Sequence, residues 1–122
     1  LLNDLKRRKG KMPLISVSPE TKITEMLDLM EQHGISQLPV IEQGKAVGSV
    51  REHRVMSQIL DDRAILEEPV TRVMEQSFPV VNEGVEVARA KQYLKDSPAI
   101  LVEEYGRIIG FVTRYDVLDI DS

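Results

Sequence analysis

Thr113 and Asp116 stand three residues apart, where an apolar run over residues 107–112 gives way to a helical pattern beginning at Thr113. A hydroxyl residue followed three positions later by an acid, ahead of an apolar helix, is a capping pattern. The same two groups can hold a ligand. A carboxylate accepts hydrogen bonds from a pair of hydroxyls, and a helix start presents N–H groups to an anion. Together they suit a ribose carrying a phosphate or another polar tail. Taken alone, the pair is more simply a cap, with Thr113 closing the helix and Asp116 complementing its dipole. The remaining elements give the ligand reading its weight.

Those elements come twice. A short apolar strand is expected over residues 14–17, with a turn at Ser18, Pro19 and Glu20. Ile23, Met26, Leu27 and Met30 then follow helical spacing, and Gly34 ends the helix. A strand over residues 36–41 turns at Gln43-Gly44 into a second over residues 46–50. A helix with Val55, Met56, Ile59 and Leu60 apolar follows, and Asp61-Asp62-Arg63 marks its exit. The second copy starts near Pro69, with residues 70–74 leading to a strand over residues 78–81. Asn82-Glu83-Gly84 turns the chain into a helix over residues 85–94, broken at Asp96-Ser97-Pro98. Strands over residues 99–102 and 107–112 flank a hairpin turn at Tyr105-Gly106. Gly44-Lys45-Ala46-Val47-Gly48 matches Gly106-Arg107-Ile108-Ile109-Gly110, 62 residues on (44 to 106). The expected fold is α+β: two β-α-β-β-α repeats related by a pseudo-twofold axis and packed sheet to sheet. The domains are a basic linker over residues 1–11, repeat 1 over 12–66 and repeat 2 over 67–122.

Bulk properties bound the function. With 122 residues the chain holds one compact domain or two small halves sharing a core. Its 42% hydrophobic and 30% charged residues fit a soluble globular protein rather than a disordered one. No apolar run approaches the roughly 20 residues of a membrane helix. The absence of cysteine removes disulfides and thiolate chemistry and fits a reducing compartment, so a cytoplasmic location is expected. A net charge of −4 argues against nucleic-acid binding by the surface as a whole. Lys6, Arg7, Arg8, Lys9 and Lys11 make the start basic; a solvated linker from an upstream domain is favoured over an anionic-surface contact. The chain opens on Leu1 and is read as a piece of a longer protein. His33 and His53 lack metal-ligand spacing, and Met26, Met30 and Met56 are read as core. No nucleophile–base pair stands out, so an enzyme reading is poor and no catalytic or metal residues are assigned.

The residues carry a resemblance. The strand–Pro start at 15–19, the stretch Gly34-Ile35-Ser36-Gln37-Leu38-Pro39-Val40, the Gly-x-h-x-Gly hairpin in both halves (h, hydrophobic) and the Gly-h-h-Thr-x-x-Asp ending occur in order across residues 12–120. Each half resembles a cystathionine-β-synthase-type (CBS) domain, and the pair resembles a Bateman module. The resemblance implies a regulatory binding module rather than an enzyme. It implies AMP, ADP, ATP or S-adenosylmethionine as ligand, no resident cofactor, a homodimer, and gating of an attached domain. It also implies site residues. Asp116 takes the ribose hydroxyls with Thr113 beside it, and Ile35, Ser36, Gln37 and Leu38 receive the adenine. Pro13, Leu14 and Ile15 form an apolar wall, and Arg114 is placed to reach a phosphate.

The mirror site departs from the pattern. Arg51 and Arg54 stand where the second repeat has Thr113 and Asp116. Arginine offers five donors and no acceptor, so one adenosyl site per chain is expected; the other cleft is empty or takes a different anion. Residues 73–81, together with 34–40, are similar to the C-terminal regulatory region of cystathionine β-synthase or a related pyridoxal-phosphate enzyme. That likeness implies an upstream catalytic domain carrying the lysine and cofactor. The alternative function is a structural dimerisation module with empty clefts.

Overall fold

The computed structural model describes residues 14–121. It divides into two compact units, Ile15–Ser77 and Phe78 onward, with Leu14 grouped with the second. No helix among the described residues is long and apolar enough to cross a membrane.

In the first unit, helix α1 (Ile23–His33) buries Ile23, Met26 and Met30 on one face, at i, i+3 and i+7. Gly34 ends it in the left-handed region at φ 63°, and the N–H groups of Gly34 and Ile35 close on the carbonyls of Glu31 and Met30. Space around Gly34 is open, so only its backbone angle demands glycine. Gly34→Ala is therefore expected to cost about 1 kcal/mol, read as a lower urea midpoint with unchanged slope; an unchanged midpoint would contradict the cap.

Strands β1 (Gln37–Glu42) and β2 (Lys45–Arg51) form an antiparallel hairpin. Its turn residues Gln43 (φ 52°) and Gly44 (φ 80°) both lie at positive φ, as a two-residue hairpin whose twist matches its strands requires. Helix α2 (Glu52–Asp61) follows, then two 3₁₀ turns, Arg63–Glu67 and Val70–Arg72. In the second unit, β3 (Val80–Asn82) pairs in parallel with β4 (Ala99–Glu104), and β4 pairs antiparallel with β5 (Arg107–Thr113). Helix α3 (Val87–Asp96) lies between β3 and β4 in sequence, and helix α4 (Arg114–Asp121) follows β5.

The repeat extends to the hydrogen-bond ladder. Gln37 faces Arg51 in the first hairpin, and Ala99 faces Thr113 in the second, 62 residues on (37 to 99, 51 to 113). Each hairpin carries its irregularity at the same place, between Val40 and Ile41 and between Val102 and Glu103. The second turn repeats the first, with Tyr105 at φ 52° and Gly106 at φ 77°.

Four expectations change. The strand over residues 14–17 is a single bridge, Val17 to Val40. Val17 bonds Pro39 and Ile41, but the next N–H, of Ser18, goes to the Thr21 hydroxyl, so the chain turns off the sheet edge. Residues 70–72 form a 3₁₀ turn rather than extended chain. The strand expected over 78–81 starts at Val80, because Pro79 has no N–H to give the ladder, although its carbonyl accepts from Leu101. Met56 is not core. Val55 and Ile59 take the inner face of α2, leaving Met56 43% and Leu60 84% exposed.

The core of the first unit gathers Val17, Ile23, Met26, Met30, Leu38, Val40, Val50 and Val55 with Ile65, Val70 and Val73. The last three belong to a segment bonded back onto the first repeat. Ile23 N–H donates to Glu68, Val70 N–H donates to Thr21, and Ser49 and Glu75 exchange both backbone bonds. This is why the unit runs to Ser77, although the turn pattern opens the second copy near Pro69. The second core gathers Val81, Ala90, Leu94, Ile100, Val102, Val112 and Val117.

Candidate functional site

Thr113 and Asp116 meet because β5 runs directly into α4. Thr113 is the last residue of the strand and Arg114 the first of the helix. Thr113 is thus the cap position and Asp116 the third helical residue. The Asp116 carboxylate accepts from the Thr113 N–H at 2.8 Å and from its hydroxyl at 3.1 Å, both on Oδ2. Both residues are half-buried. Capping is therefore real. It does not preclude a ligand, since a carboxylate has about four lone-pair sites.

Arg114 is exposed, and its Nε donates to the Leu94 carbonyl at 2.7 Å. A cation near the C-terminal end of α3 suits that helix dipole, and the bond ties α4 to α3. This fixes the root of the guanidinium and uses one of its five donors.

The other named residues lie at the start of β1, in the first unit. Leu38 is fully buried, Ile35 and Gln37 are half-buried, and Ser36 is exposed. Their backbones are not equally able to read a purine edge. The Ile35 N–H is spent on Met30 in the helix cap, and the Ser36 carbonyl accepts from Glu52 at the start of α2. Val17 bonds Pro39 and Ile41 along the β1 edge that faces away from β2. Strand alternation aims the Gln37 N–H and carbonyl at that same edge. Gln37 is therefore the residue of this group whose backbone points to a sheet edge. Ile15 packs against the first core, and Leu14 is half-buried. Pro13, and the basic stretch over residues 1–11, lie outside the described residues.

At the mirror position the chemistry differs as the sequence implies, with one residue that sequence reasoning missed. Arg51 caps α2 without a side-chain hydrogen bond, and Arg54 forms an ion pair with Glu75. Glu75 arrives on the segment that pairs with β2: Ser49 exchanges backbone bonds with Glu75, and the buried Ser49 hydroxyl donates to the Gln76 carbonyl at 2.6 Å. The acid offsets two cations at a helix start, which otherwise oppose the dipole. Arg51 Nε and Glu75 Oε2 are buried without hydrogen-bond partners. Glu75 lies 21 residues from Arg54 (54 to 75), in a stretch without periodicity, so nothing local in the sequence announced the pair. Side chains of Arg54 and Glu75 are 50% and 32% exposed, so Arg54→Ala is expected to lower stability by less than about 1 kcal/mol. A larger loss in a denaturant titration would show that the pair holds the 74–77 segment down.

Comparison with known proteins follows the geometry. The family model described as the CBS domain matches residues 4–61 and again 70–122. A cystathionine beta-synthase from Dictyostelium discoideum is 26% identical over 110 residues, which is 85% of this chain but only 22% of that enzyme's length. A CBS-domain containing protein from Agrobacterium tumefaciens superposes with a TM-score of 0.81 at 22% identity, covering 98% of this chain and 97% of the other. CBSX2 from Arabidopsis thaliana, solved in complex with AMP, superposes with a TM-score of 0.74 at 23% identity, covering 88% and 87%. Two matches of one family model, a repeated ladder and neighbours of the same fold agree: the chain belongs to the CBS domain family, as a tandem pair of its repeats.

Proposed function

We propose that this chain is a regulatory module that binds an adenosyl ligand, AMP, ADP, ATP or S-adenosylmethionine, and gates an attached enzyme. The observation that carries the reading is the half-buried Thr113–Asp116 pair at the start of α4, an acid and a hydroxyl held together at a helix N-terminus. The CBS pair solved with AMP supports the ligand class. Asp116 takes the ribose hydroxyls, with Thr113 beside it. Residues 35–38 receive the adenine, with the Gln37 backbone as its hydrogen-bonding edge and Pro13, Leu14 and Ile15 as an apolar wall. Arg114 is assigned to a phosphate tail through the donors not bound to Leu94. The module works as a homodimer, and the partial match to cystathionine β-synthase makes a pyridoxal-phosphate enzyme of that kind the proposed parent.

The capping bonds favour a second reading, in which the pair is structural and the module only dimerises. Thermal melting of the chain with each of the four ligands in excess separates the two. A ligand that binds only the folded state adds about 2.7 kcal/mol at about 100 times its Kd. A rise with one ligand, retained in Arg54→Ala, is expected. No rise with any ligand would overturn the adenosyl reading and leave the dimerisation module.

A further inference from the structure

Each unit carries one groove between its two helices, and the two grooves occupy equivalent positions. In the first unit Leu27, Met30, Ile35 and Met56 supply apolar lining and Glu31 and Glu52 supply charge, in a cavity of about 640 Å³ between α1 and α2. In the second, Leu94, Val117 and Leu118 supply the lining and Lys91, Lys95 and Arg114 the charge, in about 380 Å³ between α3 and α4. Buried Met30 and Leu94 stand 64 positions apart (30 to 94), and so do Leu27 and Lys91, and Glu31 and Lys95. Glu52 and Arg114, and Met56 and Leu118, stand 62 apart (52 to 114, 56 to 118), the offset of the hairpin ladders. At matching positions the apolar residues are kept and the charges are inverted: Glu31 becomes Lys95, Glu52 becomes Arg114. Met56 and Leu118 are 43% and 61% exposed.

A chain with net charge −4 has no bulk reason to gather three cations around one of its apolar grooves. Its own other groove has the complementary charge. We infer that the occupant of each groove is a second copy of this chain, with the acidic α1–α2 face of one copy against the basic α3–α4 face of the other. This rests on the self-association part of the function proposed above and adds its pairing rule. Pairing like faces would set Glu31 and Glu52 against each other, and Lys91 and Lys95 against each other, a repulsion that unlike pairing converts to attraction. Unlike pairing about a two-fold axis makes the contact twice and closes at two copies.

The test uses two double variants, Glu31→Lys with Glu52→Lys, and Lys91→Glu with Lys95→Glu, followed by sedimentation equilibrium from micromolar to millimolar concentration. None of the four residues belongs to the proposed ligand set, so a ligand-induced melting shift measured on the same samples reports the ligand site separately. The expected result is a wild-type dimer weakened by salt. Each double variant alone should associate at least about tenfold more weakly, and an equimolar mixture should recover at least wild-type affinity. Wild-type dimers with variants that associate equally tightly would overturn the pairing rule alone. Failure of the mixture to recover would also overturn it, as would an assembly that grows without closing. A wild-type chain that stays monomeric throughout would overturn both the rule and the self-association beneath it.

Discussion

Asp116→Ala is expected to weaken adenosyl-ligand binding by about 1.5–3 kcal/mol, the usual cost of losing a hydrogen bond to a charged acceptor. That is roughly a 10- to 150-fold rise in Kd. The same substitution removes the group that accepts from the Thr113 N–H and hydroxyl, so the unliganded protein should also melt lower. The two losses are separable because they appear in different quantities. Stability of the unliganded variant reports the cap; the further rise on adding ligand, or Kd by titration calorimetry, reports the site. Asp116→Asn sharpens the distinction, since it keeps an acceptor for the Thr113 N–H without the charge. It should restore part of the unliganded stability while binding ligand more weakly than wild type. If both variants lost stability yet bound ligand as tightly as wild type, the pair would be a cap and nothing more.

The hairpins were legible because their chemistry is local. Gln43-Gly44 and Tyr105-Gly106 sit where both turn residues take positive φ, and glycine at the second position is a direct signature of that need. The Gly34 cap was legible for the same reason, and it carried information that was not drawn out. A glycine cap directs the next N–H back into the helix, so Ile35 was foreseeably unable to offer its N–H to a ligand. Helix faces were legible less securely. Val55, Met56, Ile59 and Leu60 support two apolar stripes on α2, and only packing against Ile65 and its neighbours chooses Val55 and Ile59. The exposed stripe then becomes informative, since Met56 lines a groove that has an equivalent in the other repeat.

Pairing between distant segments was not legible. The strand over residues 14–17 shrank to one bridge because Thr21 intercepts the following N–H, a contest that no apolar pattern encodes. The segment 74–77 has no period at all, yet it docks on β2 and delivers Glu75 to Arg54. For the candidate site, the sequence held the Thr113–Asp116 spacing and the arginines at the mirror position. The Arg114 bond to Leu94 depends on α3 lying beside α4, which spacing along the chain does not reveal.

Gly48→Val is expected to be the most destabilising single change at this docked segment. Gly48 is buried in β2, next to Ser49. A Cβ at Gly48 would run into the Met74 side chain and would stand 2.9 Å from the Glu75 carbonyl oxygen. Met74 has rotatable bonds and can give way. The Glu75 backbone cannot do so cheaply, because its N–H and carbonyl are both held by Ser49 at 2.8 and 2.9 Å. Relief of the clash therefore means lifting residues 74–77 from β2, with loss of the Ser49–Gln76 bond and displacement of Glu75 from Arg54. Overpacking of this kind costs about 1–3 kcal/mol, and valine's two methyls should place it at the upper end, with alanine at the lower. Melting should fall by roughly 4–12 °C. Hydrogen exchange locates the cause: the Ser49 and Glu75 amides should lose protection before those of the β4–β5 hairpin. Equal loss of protection in both hairpins would mean that the damage is global and that the 74–77 segment is not a separable strap. Wild-type melting in the valine variant would mean that β2 has room which the geometry at Gly48 denies.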